Sequence, residues 1–414
     1  MEQGDGMTAP KTRLMLAALL AAASMAVPVA AAPQKLLVLS VDGLDWRYLR
    51  DADALDLKIP NMRRLLAKSQ VADGVTGVWP TITWPSHTTM LTGDRPDQHG
   101  ILGNASGVPD PALSYWSAKK IRTPTLYQCL KQAGRTSAAV NWPVTVDAAI
   151  DWNLPEVYAH RQGDSSDMET VDRFGTPGLV EEIGRAYPSF RQQWLDDRSR
   201  TLATLYLLSR KKPDLMLLHL AELDSESHEQ GPFTVYAKAL VERSDELIDD
   251  ILKVLPKDYA VALVSDHGFE RIDRIANLKV MAAADGVTGA MTVTGGLVTT
   301  SDAKVADWLR AQSGKGDVGR EVPHDELMKY APQLAGAVAA FEPASNVMFG
   351  NAAGGAAHGT SSNKGGHGFW PARADYRSIF LLSGAGIKPA KLGGMEMTAI
   401  NEKLEKLLDL TCKQ

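Results

Sequence analysis

Three aspartates, three histidines and one threonine carry the chemistry this sequence offers. Asp42 closes the run KLLVLSVDG, Asp224 the run PDLMLLHLAELD and Asp266 the run YAVALVSDHG. His228 follows Asp224 by four residues, so the two side chains can point one way on a helix or meet across a tight loop. His267 follows Asp266 directly, and His367 stands in NKGGHGFWP, where glycines let the backbone come close to a ligand. Carboxylates with imidazoles favour zinc or another divalent transition metal over magnesium or calcium, which take all-oxygen shells. These six ligands exceed one tetrahedral site and suit two cations. Two-metal hydrolytic sites clamp the attacking and leaving oxygens of an in-line displacement at phosphorus.

An attacking oxygen is offered by WPTITWPSHTTMLTGDRPDQHGILGN, residues 79–104. Proline is best tolerated in a first helical turn, so Pro85 predicts a helix beginning just after Thr83. A hydroxyl at a helix N-terminus sits where an alkoxide or a bound phosphate is stabilised. Ionising an alcohol takes more, and a metal ion is the usual means. The other reading of Thr83 is a plain helix cap, and the local sequence leaves both open. His87, His99, His160, His219, His324 and His358 have no comparable setting; His87 and His99 are read as local packing or hydrogen-bonding residues. His358 shares the glycine-rich loop of His367 and competes with it. Trp79, Trp84, Tyr115 and Trp116 could stack a nucleobase, Trp84 foremost because it follows Thr83, although core packing accounts for each equally well.

These residues need elements to hold them. Four runs have the composition of strands buried on both faces: KLLVLSVDG from Lys35, PDLMLLHLAELD from Pro213, YAVALVSDHG from Tyr259 and RSIFLLSGAG from Arg377. NMRRLLAKS, SRTLATLYLLSRKK and TVYAKALVERSDELIDDILKVL have amphipathic helical spacing. The alternation predicts an α/β fold, a largely parallel central sheet with helices on both faces. Asp42, Asp224 and Asp266 then stand at carboxyl ends of strands, the edge where open α/β sheets bind ligands. Residues from about 106 to 198 are polar and rich in Trp, Tyr and Pro, and read as irregular structure around the site. Residues of about 271–351 include VTGAMTVTGGLVTT, a hairpin pattern, and DAKVADWLRAQ, a helical one, and so predict a small α+β insertion. GNAAGGAAHGTSSNKGGHG reads as a flexible loop delivering His367.

With 414 residues, 44% hydrophobic and 22% charged, the chain can bury a sizeable core. A formal charge of −5, with no basic run, makes a nucleic acid a substrate at most and not a scaffold. Lys11 and Arg13 precede an apolar run over residues 14–27, followed by Ala30, Ala31 and Ala32. That is an export signal over residues 1–32, with the mature enzyme over 33–414 in the periplasm or secreted. A membrane anchor is the rival reading, but the run falls short of the roughly 20 residues of a spanning helix. Cys129 and Cys412 can pair in an oxidising compartment, and burial of Cys129 in the helical pattern TLYQCLKQAG accounts for it as well.

With these residues placed, the chain resembles the alkaline phosphatase superfamily, and within it the nucleotide pyrophosphatase/phosphodiesterase family, over roughly residues 35–409. VLSVDG, PTITWPSH, LTG, RPDQHGILGN, PDLMLLHLAELDSESHEQGP, SDHG and GGHG match that family's segments in order. The resemblance implies an alkaline phosphatase-like fold and two Zn2+, one on Asp42, Thr83, Asp266 and His267 and the other on Asp224, His228 and His367. It implies Thr83 as nucleophile with a covalent phosphothreonine intermediate, Asn104 as donor to a phosphoryl oxygen, and Trp84 in the leaving-group or base pocket. The implied substrate is a small phosphodiester or nucleotide. Ser227, Trp84 and Ser86 replace a usual Gly, Phe and Asn without removing a ligand, so substrate preference stays open. Thr83 and His87 stand where a formylglycine sulfatase has Cys and Arg, which argues against that branch. A phosphomonoesterase or phosphonate hydrolase of the same superfamily, and an inactive binding protein on the same fold, remain as alternatives. No arginine neighbours Thr83 to grip a dianionic phosphate, and a binder has no need of the hydroxyl.

Overall fold

KLLVLSV forms strand β1 (Lys35–Val41), in which every residue from Leu36 onward is buried. Successive side chains of a strand point to opposite faces. Leu37, Leu39 and Val41 accordingly enter one hydrophobic cluster and Leu36 and Val38 another. The computed structural model describes residues 34–104, 117–157, 167–190 and 195–412, with positions 1, 4 and 6. The apolar run expected to direct export, Tyr115, Trp116 and His160 lie outside the described residues.

The remaining strands of the main sheet are β2 (Gln70–Val71), β3 (Ser137–Val140), β4 (Trp152–Leu154), β5 (Leu215–Leu220), β6 (Tyr259–Val264), β7 (Phe380–Ser383) and β8 (Ala390–Lys391). They make an eight-stranded sheet in the order β8-β2-β7-β6-β1-β5-β3-β4. From β6 through β1, β5 and β3 to β4 all neighbours are parallel, whereas β7 runs antiparallel to both β6 and β2. The fold is the expected α/β arrangement with a largely parallel sheet.

Helix α1 (Thr83–Thr92) carries the candidate nucleophile, α2 (Glu222–Gln230) follows β5, α3 (Val235–Val254) follows α2, and α4 (Ala399–Leu408) comes near the end of the sequence. On α3, Ala237, Val241, Ile248 and Ile251 are buried at helical spacing, and the Thr234 hydroxyl caps it by accepting from Ala237 N. On the other face, Ile400, Leu404 and Leu408 of α4 share a cluster with Met90 and Leu91 of α1. Cys129 and Cys412 form a disulfide with a Cα–Cα distance of 5.3 Å.

The region from about 106 to 198 departs from its expected irregularity, since it supplies β3, β4 and helices such as Leu126–Gln132, Asp167–Phe174 and Leu179–Ala186. SAAV and WNL are too short and too rich in small or polar residues to carry a strand signature. Their burial comes from pairing with β5 and with each other.

Between residues 270 and 351 the chain builds a four-stranded antiparallel sheet from Thr292–Thr294, Leu297–Thr300, Ala339–Pro343 and Val318–Glu321. Helices Leu278–Ala284 and Ala303–Gln312 pack on it around a separate core. Trp79 meets Trp370 at 5.3 Å in a further cluster that includes Leu297 and Leu327, so Trp79 is a packing residue between this sheet and the segment before α1. No helix among the described residues is long and apolar enough to cross a membrane.

Candidate metal centre and active site

Register brings the acids together. Val41 pairs with Leu220, and Ser40 with both His219 and Val264, so β1, β5 and β6 stop along one line. The chain beyond each of them begins at the same sheet edge. Asp42 follows β1 at once and Asp266 comes two residues after β6, while Asp224 lies in the first turn of α2 with His228 one turn on. The four-residue spacing of that pair is therefore helical.

Two adjoining groups result. Ligand-capable atoms of Asp42, Asp266 and His267 all lie within 4.8 Å of one another, as do those of Asp224, His228 and His367. In the first, His267 Nε2 is 3.3 Å from Asp42 Oδ1 and 3.1 Å from Asp266 Oδ2. In the second, Asp224 Oδ1 is 3.6 Å from His228 Nε2 and 3.5 Å from His367 Nε2. The rings of His267 and His367 stack at 3.8 Å, which joins the groups. His228 and His267 each turn Nδ1 to a backbone carbonyl, Gly365 O at 3.1 Å and Gly268 O at 3.2 Å, leaving Nε2 directed at the carboxylates.

Glycine makes two of these approaches possible. Gly43, at φ 67°, donates its N–H to Asp266 Oδ1 at 3.0 Å, and a Cβ there would press on the Phe269 ring at 3.0 Å. A Cβ on Gly365 would strike Ser227 O at 2.4 Å, so only glycine lets the loop of His367 lie against α2. His358, the competitor in that loop, pairs with Asp317 at 2.8 Å instead.

The electrostatics call for a cation. Asp42 Oδ1, Asp266 Oδ2 and His267 Nε2 are buried and have no hydrogen-bond partner among the described residues. Each such atom costs about 1–3 kcal/mol. The ion pairs of Asp42 and Asp266 among the described residues are with histidines only. Burial first, then the charges of Asp266 and Asp224, hold the Asp42 carboxyl well above the usual carboxylate range. Burial first and neighbouring imidazoles second push His267 and His367 well below the ordinary histidine value. Neutral imidazole is the ligating form, and a dication reverses the penalty on clustered carboxylates. The donor set of carboxylate oxygen and imidazole nitrogen fits zinc.

Thr83 is the first residue of α1, and the cap position falls to Ile82, so the hydroxyl is not spent on capping. Asn104 Nδ2 donates to Thr83 Oγ1 at 3.2 Å, and Asn104 Oδ1 accepts from Trp84 N at 2.9 Å. His87, one turn along, donates Nδ1–H to Thr83 O at 2.8 Å, accepts from Ser40 Oγ at 2.9 Å, and lies 3.8 Å from Asp266 Oδ2. The start of α1 is thus one imidazole away from the first group. Thr81, just upstream, accepts from Gly368 N at 3.0 Å through its carbonyl, which docks the same segment on the loop of His367.

A family model described as type I phosphodiesterase / nucleotide pyrophosphatase matches residues 36–350. The chain belongs to that family. Ectonucleotide pyrophosphatase/phosphodiesterase family member 3 of Rattus norvegicus is 25% identical over 256 residues, covering 57% of this chain and 25% of the relative. Venom phosphodiesterase 2 of Crotalus adamanteus is 26% identical over 256 residues, covering 57% and 27%. The match thus takes in about a quarter of the length of these curated relatives. Murine ectonucleotide pyrophosphatase/phosphodiesterase 5, an inactive Thr-to-Ala variant in complex with AMP, shares the fold with a TM-score of 0.62 at 20% identity, over 92% of this chain and 96% of that one.

Trp84, the residue after Thr83, is packed inward. It is 2% exposed, belongs to the core cluster under the sheet and donates its indole N–H to Glu156 Oε2 at 2.5 Å. Of the two readings open at Trp84, stacking or packing, the burial and the indole bond favour packing, and its backbone N–H donates to Asn104. Trp84→Ala is expected to destabilise the protein by about 3–5 kcal/mol. It should slow hydrolysis of a nucleotide diester and a small aryl diester by the same factor in steady-state assays. A loss confined to the nucleotide would restore the stacking role.

His219 is the residue that the sequence reading passed over. It lies in β5 with Nε2 at 3.0 Å from Asp42 Oδ2. One signal was available: a single histidine inside the otherwise apolar strand LMLLHL, five positions before Asp224. His99 bonds Thr89 Oγ1 at 3.0 Å and Ile101 N at 3.2 Å, both local contacts.

Proposed function

We propose that this chain is a two-cation hydrolase of phosphodiester or pyrophosphate bonds in a small nucleotide-like substrate, with Thr83 as nucleophile. The observation that carries the reading is the pair of adjoining ligand groups at one sheet edge, beside a hydroxyl that opens a helix and is not used as its cap. One zinc would be held by Asp42, Asp266 and His267 together with Thr83, the other by Asp224, His228 and His367, and other divalent transition metals would serve in their place. When bound, such ions lower the pKa of a coordinated hydroxyl and offset charge on a departing oxygen.

The protein's own groups account for the remaining steps. Thr83 Oγ, giving up its proton, forms a bond to phosphorus as the bond to the leaving oxygen breaks; the leaving oxygen departs and is protonated, and the remaining substituent stays on phosphorus, giving a substituted phosphothreonine. Asn104 Nδ2, now on Thr83 Oγ1, turns to a non-bridging oxygen, and the amino end of α1 faces the charge that develops. Water then cleaves the phosphothreonine from the vacated side, so two inversions give net retention. The murine relative, inactive as a Thr-to-Ala variant and holding AMP, supports both the residue type at Thr83 and a nucleotide ligand. Among the described residues neither Arg nor Lys hydrogen-bonds to Thr83 or Asn104, which favours a diester monoanion over a dianionic monoester. The Cys129–Cys412 disulfide fits an exported protein, periplasmic or secreted.

The test is the zinc-loaded protein on a nitrophenyl ester of a nucleoside 5′-monophosphate against nitrophenyl phosphate. A kcat/KM roughly tenfold or more higher on the diester is expected. Preference for the monoester would make it a phosphomonoesterase, and no turnover of either ester would leave a binding protein.

A further inference from the structure

The two carboxylates of the first group are divided in the same way by different donors. Asp266 Oδ1 is taken by Gly43 N at 3.0 Å, and its Oδ2 is buried without a hydrogen-bond partner. Asp42 Oδ2 is taken by His219 Nε2 at 3.0 Å, and its Oδ1 is the atom left without one. The two spare oxygens converge on His267 Nε2. In both residues one oxygen is tied and the other is offered.

We propose that His219 is a positioning residue for the first cation site: it donates Nε2–H to Asp42 Oδ2 and so presents Asp42 Oδ1 alone as the ligand. The proposal rests on the metal reading above. An ionised carboxylate only accepts, so the bond requires the tautomer with hydrogen on Nε2. Asn141 Nδ2, 3.3 Å from His219 Nδ1, is the donor that stabilises it. The opposite tautomer would give Nδ1–H to Asn141 O at 3.0 Å but would leave two acceptors facing each other at Asp42. Ligation needs Asp42 ionised, and that decides between them. The ring is fully buried and meets the His87 ring at 4.4 Å. Its Nδ1 lies 3.7 Å from Glu156 Oε1, and the other oxygen of Glu156 accepts the indole N–H of Trp84. Partners of this kind set the orientation of a ligand and typically change metal affinity about 10–100-fold when removed.

The experiment measures zinc affinity and stoichiometry by competition with a chromophoric chelator, with circular dichroism as the check on folding. The parent is expected to bind two ions. His219→Leu should retain one site at parental affinity and weaken the other by about 10–100-fold. His219→Gln, whose amide nitrogen reaches toward the same oxygen, should recover most of that loss. Where the Leu variant does not fold, His219→Asn, polar but too short for Asp42, takes its place with the same loss expected. Parental affinity at both sites in the Leu or Asn variant, or no recovery in a folded Gln variant, overturns the role of His219. A parent that binds no ion overturns the metal reading itself.

Discussion

Replacing Thr83 by alanine is expected to lower diester turnover by about 10⁴-fold or more, equivalent to roughly 5 kcal/mol of transition-state stabilisation, with both cations still bound. The expectation follows from how little else the hydroxyl does. It caps nothing, and its one hydrogen bond among the described residues is the 3.2 Å contact from Asn104. Removing it leaves Asp42, Asp266 and His267 as a three-residue ligand set, so metal content should match the parent by elemental analysis. Thr83→Ser, which keeps an oxygen at the same helix position, should retain a measurable fraction of the rate. A Thr83→Ala protein working within tenfold of the parent would refute the nucleophilic role.

Stripping the cations is expected to abolish activity as completely and, unlike Thr83→Ala, to weaken the fold. Asp42 and Asp266 are buried beside each other and, among the described residues, have only imidazoles as ion-pair partners, so the cation-free protein holds clustered acids with unsatisfied oxygens. An ion present at about a thousandfold its dissociation constant contributes about 4 kcal/mol per site to stability. For two sites in a chain of this size the melting temperature should fall by roughly 10 °C in excess chelator. Zinc should restore both the rate and the melting temperature; magnesium and calcium should not, because imidazole nitrogen suits neither. Unchanged activity and melting after dialysis against chelator would count decisively against a cation requirement.

What the sequence disclosed and what it hid follow one physical division. β1, β5 and β6 are apolar on both faces and end near acids, so strand composition alone located the edge where Asp42, Asp224 and Asp266 emerge. β3 and β4 escaped because a four-residue run of Ser, Ala and Val, and a three-residue run, owe their burial to neighbours. Trp84 was open between stacking and packing because adjacency in sequence says little on a helix: the next residue points about 100° away, and the indole that follows Thr83 lies in the core. His219 was concealed for a related reason, since its importance lies in cross-strand neighbours that no spacing within LMLLHL encodes. Thr83 itself, open between cap and nucleophile in the sequence, was freed by Ile82 taking the cap.

The C-terminal part of α1 is gripped from far along the chain. Asn401 of α4 donates to Leu91 O at 2.8 Å across 310 positions, and the end of α4 is tethered through Cys412 to Cys129, 283 positions away. The seating of α1 is thus linked, through α4, to the thiol chemistry of a distant covalent buckle, and a reducing milieu is expected to slacken the far end of that helix.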